Sequence, residues 1–98
     1  MDAQVVVDKL VSQKDALKAL GLLRLSLFGS TARGQATEES DIDLAVTLDP
    51  DAGIDLFRFA AIREQLARML GHEVDMIVEP ARSMRMQAEI DRDRLRVY

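Results

Sequence analysis

The chain has no cysteine, so a disulfide framework, a thiolate zinc site and a cysteine nucleophile are all excluded. No apolar run approaches the roughly 18 to 20 residues of a membrane span, and the N-terminus lacks a signal-peptide pattern. A cytoplasmic location is therefore expected. Basic charge is in deficit: 13 Lys and Arg stand against 17 Asp and Glu, a formal net charge of −4. Gripping a nucleic-acid backbone needs a basic footprint, so direct nucleic-acid binding is not expected. There is no Gly-Lys-Ser/Thr, so a P-loop is ruled out. The one histidine, His72, follows Gly71 at a helix end, where a capping or surface role accounts for it.

What remains is 98 residues, 48% of them hydrophobic. That suffices for a single domain, residues 1–98, with a small core. The charge is unevenly spread. Residues 1–81 hold 8 basic and 14 acidic side chains, whereas 82–98 hold 5 arginines and 3 acidic residues. Such a basic tail suits either a solvated helix surface or an acidic partner.

Hydrophobic spacing divides the chain into alternating elements. A helix is expected over 2–20, closed by Gly21. A strand follows over 22–28, with Leu23, Leu25 and Leu27 on one side and Arg24 and Ser26 on the other. A short helical turn over 31–33 and a loop over 34–40 lead to a second strand, 41–48. Asp55 caps a helix running to Leu70, where Gly71 stops it. A third strand spans 73–78 and a last helix 83–92. The order predicts an α/β fold, with a small mixed sheet of about three strands and helices packed on one face. The polar side of each strand then leaves the other face to solvent or a ligand.

Two aspartates on that polar side stand out. Asp41 and Asp43 are two apart on a strand, so they project together with Cβ atoms roughly 6 to 7 Å apart. Their repulsion is about 3 kcal/mol at an effective dielectric near 20, and aspartate is a poor strand former. A divalent cation converts this cost into a site, and hard oxygen donors suit Mg²⁺ or Mn²⁺. Asp75, mid-strand on the polar side, joins the pair if the second and third strands are neighbours. Three carboxylates can hold two metal ions in the arrangement used for in-line phosphoryl or nucleotidyl transfer. Gly29 and Ser30 end the preceding strand, where glycine lets a phosphate approach the backbone and the serine hydroxyl donates to it. Arg33, one turn on, is within reach of the same polyphosphate.

Gly29-Ser30, ten intervening residues and Asp41-Ile42-Asp43, within LFGSTARG (27–34) and SDIDLAV (40–46), resemble the DNA polymerase β-like nucleotidyltransferase superfamily. Within it the likeness is to the minimal nucleotidyltransferases, MNT, and extends over essentially the whole chain. The resemblance implies that Gly29 and Ser30, with Arg33 as a further ligand, hold the phosphates of ATP. It implies that Asp41, Asp43 and Asp75 bind two Mg²⁺ ions and that Asp75 helps deprotonate the attacking hydroxyl. It also implies transfer of AMP to a hydroxyl, a tyrosine, of a HEPN-type toxin, with this chain as the antitoxin in a hetero-oligomer. The competing reading is a non-catalytic antitoxin that neutralises its toxin by stoichiometric binding.

Overall fold

The computed structural model describes all residues, Met1–Tyr98. Helices α1 (Ala3–Ser12) and α2 (Lys14–Ala19) precede strand β1 (Leu22–Phe28), and a single turn, α3 (Gly29–Ala32), follows it. Strand β2 (Ile42–Leu48), a 3-10 turn (Pro50–Ala52) and helix α4 (Leu56–Leu70) come next. Strand β3 (Val74–Val78), helix α5 (Met84–Asp93) and a two-residue strand β4 (Leu95–Arg96) complete the chain.

The helix ends follow local chemistry. Asp2, Asp55 and Ser83 each lend a side-chain oxygen to a backbone N–H in the first turn, at 2.7, 2.8 and 2.9 Å. Gly71 closes α4 in the left-handed conformation, its N–H donating to Ala67 O at 2.8 Å. The helix expected over 2–20 is broken at Gln13. The Ser12 hydroxyl donates back to Lys9 O at 2.6 Å, a bond that competes with the helical ladder and bends it.

The sheet order is β3-β2-β1-β4, with β2 and β3 parallel and the other pairs antiparallel. The mixed sheet is as expected, with one strand more. β4 is too short to leave a periodic signal. One face carries Leu22, Leu25, Leu27, Ile42, Leu44, Val46, Val74 and Met76. Val6, Leu10 and Leu17 from the N-terminal helices and Ile62, Leu66 and Leu70 from α4 pack against it in one cluster. Leu23 departs from the expected alternation and is exposed. A bulge between Leu22 and Arg24 inserts a residue into β1, so Leu22 rather than Leu23 shares the core with Leu25 and Leu27.

The second face is not left wholly open. Ile90 of α5 is fully buried against Phe28 and Ala45, with Ile77, Ala81 and Met86 around them. α5 thus lies across the middle of the polar face and leaves two separate areas exposed. One holds Asp43 and Asp75; the other holds Arg24 and Thr47, with Ser26 buried beside them. No helix is long and apolar enough to cross a membrane.

Candidate active site

The β1–α3 junction carries the glycine-serine pair. Phe28 is fully extended, and Gly29 turns the chain at φ +76° into α3. Glycine is required here twice. L side chains rarely adopt that φ, and a Cβ at Gly29 would overlap Oδ2 of Asp43 and lie 3.1 Å from its Cγ. Backbone and carboxylate therefore sit in direct apposition. As the opening residues of α3, Gly29 and Ser30 have no helical carbonyl a turn earlier to take their N–H groups. Their own carbonyls accept from Arg33 N at 3.1 Å and Gln35 N at 2.9 Å, which fixes the turn.

The loop that returns the chain is tied to itself. Thr37 N donates to the Ser40 hydroxyl at 2.9 Å, and Ser40 N to Thr37 O at 3.1 Å. It delivers Asp41, exposed, just ahead of β2. Ile42 N then donates to Glu73 O at 2.9 Å, setting the parallel register that makes Asp43 the partner of Asp75. Neighbouring strands lie about 4.8 Å apart, so the two carboxylates share one face at adjacent positions. The condition for Asp75 to join the pair, adjacency of the second and third strands, is met.

Asp43 is half-buried, and its carboxyl is raised from the usual 3.8 to about 6. Burial contributes most, followed by the charges of Asp75 and Asp41; Arg33 opposes the rise and Glu89 adds to it. No carboxylate oxygen of Asp41, Asp43 or Asp75 accepts a hydrogen bond, whereas those of Asp2, Asp49, Asp55, Asp91 and Asp93 do. Three acceptor-only groups without donors suit a hard divalent cation. They do not close into a three-ligand cage on their own. Mg²⁺ is ordinarily held by one or two carboxylates with water and substrate phosphate oxygens completing its shell, so this open donor set fits it.

Arg33 is placed beside this group but is engaged elsewhere. Its NH1 meets Asp93 Oδ2 at 2.6 Å and its Nε donates to Gln35 Oε1 at 3.1 Å. Asp93 also accepts from Arg92 at 2.9 and 3.1 Å, and with Arg33 this holds its carboxyl down at about 2. Two residues near the site were not singled out from the sequence, Glu89 and Asp93, both on α5. The signal was available for Asp93, which lies three residues beyond the buried Ile90 and so on the same helix face.

A family model for the nucleotidyltransferase domain matches residues 10–97. Protein adenylyltransferase MntA of Thermococcus cleftensis is 31% identical over 67 residues, 68% of this chain and 66% of that protein. MJ0128 of Methanocaldococcus jannaschii, provisionally named a protein adenylyltransferase, is 32% identical over 73 residues, 74% of this chain and 67% of its own. The chain spans between about half and two-thirds of the length of the curated relatives it matches. A solved structure provisionally assigned as a minimal nucleotidyltransferase superposes with a TM-score of 0.79 at 29% identity, covering 97% of this chain and 95% of the other. A chain of the complex between tri-AMPylated Shewanella oneidensis HEPN toxin and MNT antitoxin gives 0.69 at 20% identity, over 98% and 71%. At that identity the likeness is one of fold.

Proposed function

The chain belongs to the nucleotidyltransferase domain family, and on that premise we propose that it transfers AMP from ATP to a tyrosine hydroxyl of a HEPN-type toxin, acting as the antitoxin. The observation that carries this reading is the pairing of Asp43 with Asp75 beside the Gly29 bend. Similarity to a protein adenylyltransferase supports AMP as the transferred group. The shared fold with the MNT antitoxin complex supports a toxin as the acceptor.

Asp41, Asp43 and Asp75 are the residues that would hold Mg²⁺. The ions supply neutralisation of negative charge at the α-phosphate and the leaving pyrophosphate. Gly29 and Ser30 present N–H groups and a hydroxyl to the β- and γ-phosphates. The Asp75 carboxylate takes the proton from the acceptor hydroxyl. The hydroxyl oxygen bonds to the α-phosphorus as the bond to the bridging oxygen breaks, and pyrophosphate departs. Arg33 binds the triphosphate once it leaves Asp93. Glycine at position 29 lets the triphosphate lie close to Asp43 without an intervening side chain.

Incubation with α-labelled ATP, Mg²⁺ and the product of the neighbouring gene tests the reading. Label moves to a tyrosine of that protein with the wild type and not with Asp43→Ala. A toxin that stays unlabelled, or is labelled equally by Asp43→Ala, contradicts it. The alternative is a non-catalytic antitoxin that neutralises its toxin by binding alone, for which the 80–90% exposed side chains of Leu56, Phe57 and Met84 offer apolar contacts. In that case the Asp41→Ala/Asp43→Ala double variant still neutralises the toxin in cells without any transfer.

A further inference from the structure

The part of the polar face beyond α5 is chemically unlike the carboxylate end. The register that puts Asp43 opposite Phe28 puts Thr47 opposite Arg24, two pairs further along the ladder on the same face. β4 adds Arg96 directly opposite Ser26. Arg24, Ser26, Thr47 and Arg96, with Arg94, Glu79 and Tyr98, line a cavity of about 230 Å³. Ile90, seated on Phe28 and Ala45, fills the ground between this cavity and Asp43. In a chain of net charge −4, three arginines converge here against one carboxylate.

Of the three arginines only Arg94 is spent on its neighbours, Glu79, Ser26 and, at 3.2 Å, Asp91. Glu79 takes Arg94 through bonds of 2.8 and 2.5 Å. The Arg94 charge is thereby neutralised, and Glu79 is held below the usual carboxylate range. Arg24 and Arg96 enter no ion pair. Ser26 is buried and its hydroxyl accepts from Arg94 NH1 at 3.0 Å, so its own proton is available to a ligand. Tyr98 donates its O–H to Leu22 O at 2.9 Å and serves as a wall.

We propose that this cavity is a second anion site, distinct from the carboxylate centre, that binds a phosphoryl group. Free donors arrive from β1, β2 and β4, and thus from several directions. A tetrahedral oxyanion with three or more acceptor oxygens uses such a set, whereas a planar carboxylate occupies one guanidinium fork. The volume is below the roughly 300–1,000 Å³ of sites that enclose a drug-sized molecule, so the occupant is the phosphate itself or the phosphate end of a larger molecule. The proposal does not depend on the transfer reaction.

The test is titration of the ¹⁵N-labelled chain with inorganic phosphate, and separately with AMP, in excess EDTA. EDTA removes divalent cations and so any metal-assisted binding at Asp43. Saturable shifts are expected at Ser26, Thr47, Leu95 and Arg96 and not at Gly29 or Ser30. The Arg24→Gln/Arg96→Gln variant, changed only at exposed side chains and checked for an unaltered melting temperature, weakens binding by about tenfold or more. Asp43→Asn leaves it unchanged. The two titrations tell free phosphate from a nucleotide's phosphate as the source, and binding of either meets the proposal. It is overturned if neither saturates, if the double variant binds as the wild type does, if the shifts fall at Gly29 and Ser30, or if acetate gives the same saturable shifts.

Discussion

Asp43 of β2 and Asp75 of β3 face each other across a parallel ladder, with the Cα of Gly29 against the Asp43 carboxylate. A slip of one residue in that ladder would send Asp75 to the side occupied by Val74 and Met76 and place an apolar residue next to Asp43. The burial of Ile42, Val74, Leu44 and Met76 on the opposite face holds the register. The core thus enforces a juxtaposition of like charges that the fold itself does not need.

That juxtaposition has a cost that mutation can recover. The folded-state pKa of Asp43, about 6, lies above the ordinary 3.8. Folding therefore favours the protonated form, and this favourable contribution is complete below about pH 4 and lost as pH rises through 6. Asp43→Asn should remove this contribution to the pH dependence across that window. It should also stabilise the metal-free protein at pH 7.5 by about 1 kcal/mol, discounted for the group's partial exposure. For a chain of this size that is roughly 4–8 °C in melting temperature. Transfer activity should fall by about 100-fold or more. Calorimetry in EDTA at pH 4 and 7.5, beside the labelled-ATP assay, measures both.

Gly29→Ala should cost about 1–2 kcal/mol from its positive φ alone, with the overlap on Asp43 added. The overlap is specific, so the substitution should cost about 1 kcal/mol less in an Asp43→Ala background. Urea denaturation of the four proteins closes this cycle. Strict additivity would mean the two residues do not meet.

Much of this site was legible in the sequence. Gly29-Ser30 and Asp41-x-Asp43 could be read because a strand end and a period of two leave sharp local marks. Asp75 could be read only on condition that β2 and β3 were neighbours, a fact held in the register and not in the residues around it. Other features rest on contacts that leave no periodic trace. The Leu22–Arg24 bulge reverses the assignment of Leu23 without any breaker residue. Arg33 and Asp93 meet across 60 positions. The Met86–Ile90 stripe gave the helix, but not that it would cover Phe28 and Ala45 on the polar face.

Arg33 is expected to serve phosphate binding rather than the fold. Its bond to Asp93 leaves the guanidinium partly exposed, where solvent screens the pair and keeps its contribution to stability small. Arg33→Gln should raise KM for ATP by about tenfold with a smaller change in kcat, and leave the melting temperature within a few degrees. Steady-state kinetics at varied ATP, with a thermal melt, checks both. An unchanged KM would assign Arg33 to tethering α5 alone.

The Glu79–Arg94 pair ties the end of β3 to the last residues of the chain. Its carboxyl lies below the ordinary 4.5, chiefly through Arg94. The stability it contributes is therefore present above pH 4.5 and lost as pH falls through the depressed value. Glu79→Gln should destabilise the protein by roughly 0.5–1 kcal/mol at pH 7 and by less at pH 3. Urea midpoints at the two pH values measure the difference.

If Asp43, Asp75 and the Gly29-Ser30 bend form one metal–nucleotide site, as proposed, Mn²⁺-ATP bound there broadens the nearby resonances by its paramagnetism. The amide resonances of Gly29, Ser30, Asp43 and Asp75 should broaden first in the wild type, and Asp43→Asn should abolish the effect. Broadening centred anywhere else, or undiminished in Asp43→Asn, would contradict it.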